Sequence, residues 1–141
     1  MNLLAIAVLL PGLAWGDPRP SPALDPGEVV RIVVDALGHN NSPIPNAGIF
    51  TAYRFASPAN HAVTGPYARF LQIAKGGDSA SLLSGRPAEF SAIDIRGGRA
   101  VQTVRIPGQA GPEHAFRFVL SRQTDGACRG CWMVDGVIPL Q

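Results

Sequence analysis

Residues 116–138 read FRFVLSRQTDGACRGCWMVDGVI, and this stretch is the strongest guide to the fold. Two apolar segments, Phe116 to Ser121 and Cys131 to Ile138, have the residue types that β-strands favour. In the first segment Phe116, Phe118 and Leu120 alternate with Arg117, Val119 and Ser121, so the face with the rings is expected to join the core. Between the two segments, Gln123-Thr124-Asp125-Gly126 has the polar and glycine residues that tight turns require. The stretch therefore predicts a β-hairpin, and with it an antiparallel sheet.

The same stretch holds both cysteines of the chain, Cys128 and Cys131. A structural disulfide is the preferred interpretation, because residues three apart in a tight turn can bring their α-carbons within about 7 Å. A redox dithiol is an alternative, but the helix that usually lowers the thiol pKa is missing, since Trp132 to Val134 has strand character. Zinc binding is a third alternative. The cysteine pair supplies two ligands, but the histidines lie in separate segments without the spacing of further zinc ligands. We predict no metal site and no cofactor.

An earlier hairpin is predicted around Gly97-Gly98, where both residues can adopt the positive φ of a two-residue turn. Its strands are Glu89 to Arg96 and Arg99 to Ile106, and a wider turn over Pro107 to Pro112 leads to the next strand. The predicted register pairs Ile95 with Ala100, Ile93 with Gln102 and Ser91 with Val104. The predicted core face carries Ser91, Ile93, Ile95, Val104 and Ile106. The opposite face carries Ala92, Asp94, Arg96, Arg99, Thr103 and Arg105.

The first of three predicted helices has a clear start signal. Asp25 can cap the helix, Pro26 suits its first position, and Glu28 completes a capping box. Gly38 is the predicted end of this helix. Its many β-branched residues have low helix propensity, so we expect burial against the sheet to stabilise it.

Two shorter helices are predicted next. One covers about residues 46–56 and stops at Ser57-Pro58. The other is capped by Thr64 and ends at Gly76-Gly77. Its predicted buried stripe is Tyr67, Phe70, Leu71 and Ala74.

The order of these elements predicts an α+β fold, with three N-terminal helices packed on a curved antiparallel sheet of four strands. A chain of 141 residues with 46% hydrophobic residues has room for one domain, which we assign to residues 25–141. Proline-rich residues 17–24 are predicted to be an extended linker. The net charge of +2 comes from dispersed residues with no basic run, which argues against a nucleic-acid partner.

Residues 1–16 are predicted to be a signal peptide. Leu3 to Leu10 is an apolar run, and Ala14-Trp15-Gly16 places small residues before a cut ahead of Asp17. A membrane anchor is the alternative, but this run is too short for a hydrocarbon core of about 30 Å. We therefore expect a protein that is exported to the periplasm or secreted, with no membrane association after cleavage.

Several motifs also resemble a family of exported bacterial and plastid proteins of unknown function. The motifs are Pro58-Ala59-Asn60, Thr64-Gly65-Pro66, Phe70, Cys131-Trp132 and Asp135-Gly136. The resemblance covers about residues 27–138 and implies a nuclear transport factor 2-like fold, in which a curved sheet and helices form a cone. Because that family has no established activity, the resemblance carries over no catalytic residue.

Many enzymes with such a cone use a carboxylate or histidine in the pocket, so Asp135, His114 and Asp94 are the candidate acid/base residues. Asp94 shares its predicted face with arginines, which favours a solvated ion pair, and His114 is expected to be exposed. Asp135 would point inward only if Trp132 points outward, unless Asp135-Gly136 forms a β-bulge.

We expect a non-enzymatic domain that binds a small apolar ligand or a protein partner, with a homodimer through the outer sheet face as one arrangement. The alternative is a small isomerase or hydrolase-like enzyme. A closed apolar cavity with converging ionisable groups would favour chemistry, whereas a filled cone or an exposed apolar sheet face would favour assembly.

Overall fold

A computed structural model describes residues 17–108 and 111–141 of the chain. The helices are α1 (Pro26–Gly38), α2 (Ala47–Phe55), α3 (Pro58–Thr64), α4 (Tyr67–Lys75) and a 3₁₀-helix (Gly77–Leu83). The strands are β1 (Glu89–Phe90), β2 (Asp94–Arg96), β3 (Arg99–Ile106), β4 (His114–Arg122) and β5 (Trp132–Leu140). The predicted signal peptide and the middle of the turn predicted over Pro107 to Pro112 lie outside the described residues.

The fold contains a single antiparallel sheet of five strands in the described part of the chain. Its order is β1-β3-β4-β5, and β2 also pairs with β3. The predicted hairpin of β4 and β5 is confirmed, but its connection covers residues 123–131 and is longer than the predicted turn. The Gln123 amide donates to the Cys131 carbonyl at 2.8 Å and so closes this connection beside the sheet.

The capping box of α1 is confirmed. Asp25 accepts a hydrogen bond from the Glu28 amide at 2.8 Å, and Glu28 accepts one from the Asp25 amide at 3.2 Å. These two bonds satisfy donors that the first turn of a helix leaves free. The valines of α1 pack into the core as expected, so burial stabilises a helix of low propensity.

Helix α2 is attached closely to the end of α1. Asn40 is buried and accepts the Ile49 amide through Oδ1 at 2.8 Å and the Gly48 amide through its carbonyl at 3.0 Å. A Cβ on Gly48 would lie 1.9 Å from the Ala36 carbonyl oxygen, so the two helices touch backbone to backbone here. Glycine is therefore required at position 48 for steric reasons.

The number of helices differs from the prediction of three. Ser57-Pro58 ends α2 but also begins α3, since the Ser57 hydroxyl accepts the Asn60 amide at 3.1 Å. Thr64 ends α3 instead of capping the next helix, and α4 begins after Pro66 with no side-chain cap. The described residues thus form four α-helices and a 3₁₀-helix, which extend to Leu83 and are not confined to the N-terminal part of the chain.

The strand predicted from Glu89 to Arg96 is divided into β1 and β2. Ile95 lies opposite Ala100 as predicted, but Phe90 lies opposite Val104, so the register slips by one residue between the two strands. The slip lies between Ser91 and Asp94. The Ser91 amide still donates to the Thr103 carbonyl at 2.9 Å, but the Thr103 amide donates to the Ser91 hydroxyl at 3.0 Å and not to the Ser91 carbonyl. The predicted pairing of Ser91 with Val104 is therefore wrong, and Ile93 lies between the two strands, outside the paired residues.

The core lies between the helices and one face of the sheet. Phe116, Phe118 and Leu120 of β4 are fully buried, as their alternation predicts. The predicted face of β3 is confirmed for Val104 and Ile106, whereas Ile95 is 50% exposed because β2 pairs with β3 alone. The burial predicted for Ile95 is therefore wrong.

Candidate functional site

A cavity of about 290 Å³ opens between the helices and β5. It is lined mainly by aliphatic side chains, and Asp135 is the one ionisable residue among those that line it in the described part of the chain. The lining residues are Val33, Leu37, Ala52, Ala56, Asn60, Val63, Thr64, Phe70, Ile73, Ala74, Ser79, Leu82, Val134, Asp135, Gly136, Val137 and Ile138. The cavity is therefore an apolar space with a single carboxylate.

The rim of this cavity is also apolar. Val63, Ile73 and Ile138 all line it and are 76%, 44% and 47% exposed. They belong to α3, α4 and β5, so three separate elements place large aliphatic side chains around one opening. Exposed aliphatic residues are common when they occur singly, but a group beside a cavity is typical of a binding surface.

Asp135 lies in a β-bulge of β5. Val134 is opposite Leu120 and Gly136 is opposite Val119, which leaves Asp135 as an extra residue without a partner in β4. The bulge that the sequence offered as an interpretation of Asp135-Gly136 is confirmed. It shifts the side-chain alternation, so Trp132 packs against the core while Asp135 still lines the cavity.

Two hydroxyl groups hold the Asp135 carboxylate in place. Ser57 donates to Oδ1 at 2.7 Å, and Ser121 of β4 donates to the same oxygen at 2.9 Å. The Oδ2 atom accepts no hydrogen bond from residues 17–108 or 111–141. The carboxylate therefore has a fixed orientation and an acceptor atom that is available to a bound molecule.

The start of α3 is joined to β5 at the same point. Ala56 forms a parallel bridge with Val134, and the Ser57 amide donates to the Val134 carbonyl at 2.9 Å. The buried amide group of Asn60 donates to the same carbonyl at 3.1 Å. These bonds fix the wall of the cavity that carries Asp135.

The family model described as Domain of unknown function (DUF4864) matches residues 31–141, which is most of the chain. The chain belongs to the DUF4864 family. The match includes the cavity, the bulge and the disulfide of this DUF4864 domain. No curated protein and no solved structure matches it.

The other two candidate acid/base residues lie elsewhere in the DUF4864 domain. Asp94 is exposed on β2 and pairs with Arg96 at 3.3 Å, as an ordinary solvated ion pair does. His114 was expected to be exposed but is half-buried at the start of β4, because it pairs with Ile106 of β3. Neither residue lines the cavity with Asp135, so the three candidates do not form one site.

Cys128 and Cys131 form a disulfide with their α-carbons 5.5 Å apart. Cys131 is fully buried, and Trp132, the first residue of β5, follows it. No helix begins directly after the pair, so the feature that usually activates a redox dithiol is missing from this position. Closing so short a loop contributes only about 2 kcal/mol of stability by the chain-entropy estimate.

Metal-ligand clusters and membrane-spanning helices are both absent from the described residues. Across 17–108 and 111–141, no three His, Cys, Asp or Glu side chains come together as metal ligands would. Within those same ranges, no helix has the length and apolar character needed to cross a membrane.

Sequence reasoning identified Asp135 in the DUF4864 domain but missed the residues that position it. Ser57 was interpreted only as part of a helix stop, although a serine before a proline is also a typical helix start. Ser121 is expected from alternation only to lie on the face of β4 opposite the aromatic rings, and its bond to Asp135 is a contact across two strands. The Ser-Pro start signal was present in the sequence, whereas the Ser121 contact had no local signal.

Proposed function

We propose that this DUF4864 domain binds a small apolar ligand in the cavity beside β5. The observation that carries the proposal is an aliphatic cavity of about 290 Å³ with one carboxylate in its lining. Binding sites for small molecules are usually concave, mostly apolar and provided with a few polar groups that fix orientation. The size lies just below the usual range of about 300–1,000 Å³, which favours a small compound.

The exposed rim extends this apolar surface. Val63, Ile73 and Ile138 can cover the part of a ligand that extends beyond the cavity, because each is both exposed and part of the lining. The outer face of the sheet is less suited to binding apolar partners, since Arg99, Arg105 and Arg117 are exposed there. The homodimer through that face stays a prediction, and the cavity is the stronger candidate.

The ligand test uses 1-hexanol as the probe and a variant that fills the cavity. We expect 1-hexanol to bind the unmodified domain with a Kd of about 1 mM or tighter, and to shift the amide NMR signals of Val134 and Gly136. Ala74→Phe should abolish these shifts, because Ala74 lines the cavity. The matched control is Ala68→Phe, which adds the same ring to an exposed position of α4.

Two results would contradict the proposal. In the first, saturating 1-hexanol leaves the signals of β5 unchanged in the unmodified domain. In the second, Ala74→Phe binds 1-hexanol as tightly as Ala68→Phe does, which would place the probe outside the cavity.

A second candidate function is acid/base catalysis by Asp135. The specific observation in its favour is the β-bulge, since bulges are frequent beside active sites, where they re-aim a side chain. One carboxylate without a second ionisable group in the lining can still remove a proton from a bound compound. A change in the mass of a co-purified compound during incubation, lost in Asp135→Asn, would favour this function over simple binding.

We also propose that the fold is a nuclear transport factor 2-like cone and that the protein is exported. The arrangement of helices over one face of an antiparallel sheet, with a cavity between them, supports the cone. A disulfide is compatible with an oxidising compartment outside the cytoplasm and supports export. Residues 17–24 then form the start of the mature chain, which contacts the domain through Leu24, packed against the core, and through an Asp17–Arg54 ion pair at 3.3 Å.

Intact mass spectrometry tests export and the disulfide together. We expect protein from the exported fraction to begin at Asp17 and to weigh two hydrogens less than the fully reduced chain, because the Cys128–Cys131 bond is closed. The control is the same sample after reduction, which should regain the two hydrogens. Exported material that retains Met1 would contradict the signal peptide, and a mass unchanged by reduction would contradict the disulfide.

A further inference from the structure

We propose that the cavity selects a cationic amphiphile, a compound with an aliphatic body and a primary ammonium group that pairs with Asp135. This inference rests on the proposed ligand binding and adds the chemistry of the head group. It follows from the charge and the hydrogen bonds of one carboxylate.

Asp135 is a carboxylate without a cationic partner in the described part of the chain. The ion pairs there involve Asp17, Asp35, Asp94 and Glu113, and none involves Asp135. The cavity lining has no lysine, arginine or histidine to balance the charge. Asp135 is partly exposed, so a ligand that fills the cavity would remove water from its carboxylate, and a positive charge on the ligand would compensate for that loss.

The hydrogen bonds of Asp135 support the ionised form. Ser57 and Ser121 both donate to Oδ1, so the carboxylate acts only as an acceptor in these two hydrogen bonds. The Ser57 hydroxyl also accepts the Asn60 amide at 3.1 Å, so its hydrogen is directed to Asp135. The two serines therefore hold Oδ1, while Oδ2 is left as the acceptor for an ammonium group.

The charge of Asp135 also disfavours ligands with carboxylate or hydroxyl head groups. A carboxylate ligand would place like charges together, and a hydroxyl ligand would donate a bond but leave the charge of Asp135 unbalanced. Charge-assisted hydrogen bonds are about twice as strong as neutral ones, which gives the ammonium group an advantage over a hydroxyl of the same chain length. The aliphatic body would lie among Val33, Leu37 and Val137, which line the same space.

The test compares three probes with one hexyl chain, namely hexylamine, 1-hexanol and hexanoate. At pH 7 the amine is protonated, as lysine is, and hexanoate is ionised. We expect hexylamine to bind the unmodified domain at least about tenfold more tightly than 1-hexanol, and hexanoate to bind most weakly. Kd values come from calorimetry, and NMR shifts at Val134 and Gly136 confirm that each probe occupies the cavity.

Asp135→Asn is the matched variant, because its amide oxygen still accepts from Ser57 and Ser121 while the charge is removed. The preference for hexylamine over 1-hexanol should fall to about onefold in this variant, because the charge that attracts the ammonium group is removed. Raising the salt concentration should weaken hexylamine binding to the unmodified domain more than 1-hexanol binding.

The outcomes separate this inference from the proposed function. One outcome is that 1-hexanol binds in the cavity and the Kd of hexylamine is less than about threefold lower than that of 1-hexanol. The domain would then bind apolar ligands, and the proposed selection for a cationic head group would be wrong. If none of the three probes shifts the β5 signals, the proposed function itself is wrong. A preference for hexylamine that persists in Asp135→Asn would also overturn the assignment, because the selectivity would then arise elsewhere.

Discussion

Gly48→Ala is expected to destabilise the domain by at least about 3 kcal/mol, and the variant is expected to unfold at a much lower urea concentration. The added methyl group would lie 1.9 Å from the carbonyl oxygen of Ala36, 2.7 Å from its carbonyl carbon and 2.8 Å from the Asn40 α-carbon. All three are backbone atoms, so no side-chain rotation relieves the clash. Helix α2 must move away from α1, which disturbs the packing of its buried residues.

Gly27→Ala is the matched control on α1. Its added methyl group would lie 3.4 Å from the Asp25 side chain, which is an ordinary contact. Alanine has a higher helix propensity than glycine, so this variant should be stabilised by up to about 1 kcal/mol. If Gly48→Ala unfolds at the same urea concentration as the unmodified protein, the close contact between α1 and α2 is wrong.

Phe118→Ala is the second substitution with a large expected effect, a loss of about 3–5 kcal/mol in the free energy of unfolding. Phe118 has no exposed surface and belongs to the central strand β4, opposite Gln102 of β3 and Val137 of β5. Truncation would leave a space in the middle of the sheet that its neighbours can fill only partly.

Arg117→Ala provides the comparison on the same strand. Arg117 is exposed, so its loss should change the free energy of unfolding by less than about 0.5 kcal/mol. Urea denaturation of both variants measures the difference. A greater loss for Arg117→Ala than for Phe118→Ala would show that β4 presents its other face to the core.

Features that depend on neighbouring residues could be predicted from the sequence. The capping box of Asp25 and Glu28 and the turn at Gly97-Gly98 need only a few adjacent residues, and both are present, although φ is positive at Gly97 alone and not at both glycines. The alternation of Phe116, Phe118 and Leu120 predicted the buried face of β4 for the same reason.

Features that depend on competing bonds could not be predicted in the same way. The register slip between β1 and β2 arises because the Ser91 hydroxyl replaces a ladder partner, and alternation alone gives no sign of this. Ser57-Pro58 is compatible with the end of one helix and with the start of another. The sequence pattern does not show that both occur here, because that depends on how the surrounding residues pack. Ile95 has a strand pattern but lies in β2, which pairs with β3 alone, and a pattern does not show which strand is central.

The candidate site depended on both kinds of information. Asp135 could be proposed from its position beside a glycine in a strand, which is typical of a bulge. Its partner Ser57 is separated from it by 78 positions, so their hydrogen bond exists only through the tertiary fold. The aliphatic rim likewise combines residues from three elements whose relative positions a sequence pattern does not give.

The bridge between Ala56 and Val134 makes the cavity one of the last features to form as the chain is synthesised. Ala56 and Val134 lie far apart in the sequence. Strand β5 follows β1 to β4 in the chain, so it leaves the ribosome after those four strands. Closing so long a loop costs entropy before the contact is gained, so the wall that carries Asp135 forms only when the final strand has docked. A compound that binds in the cavity as proposed would therefore bind only chains that contain β5, and it would raise the population of the folded domain by mass action.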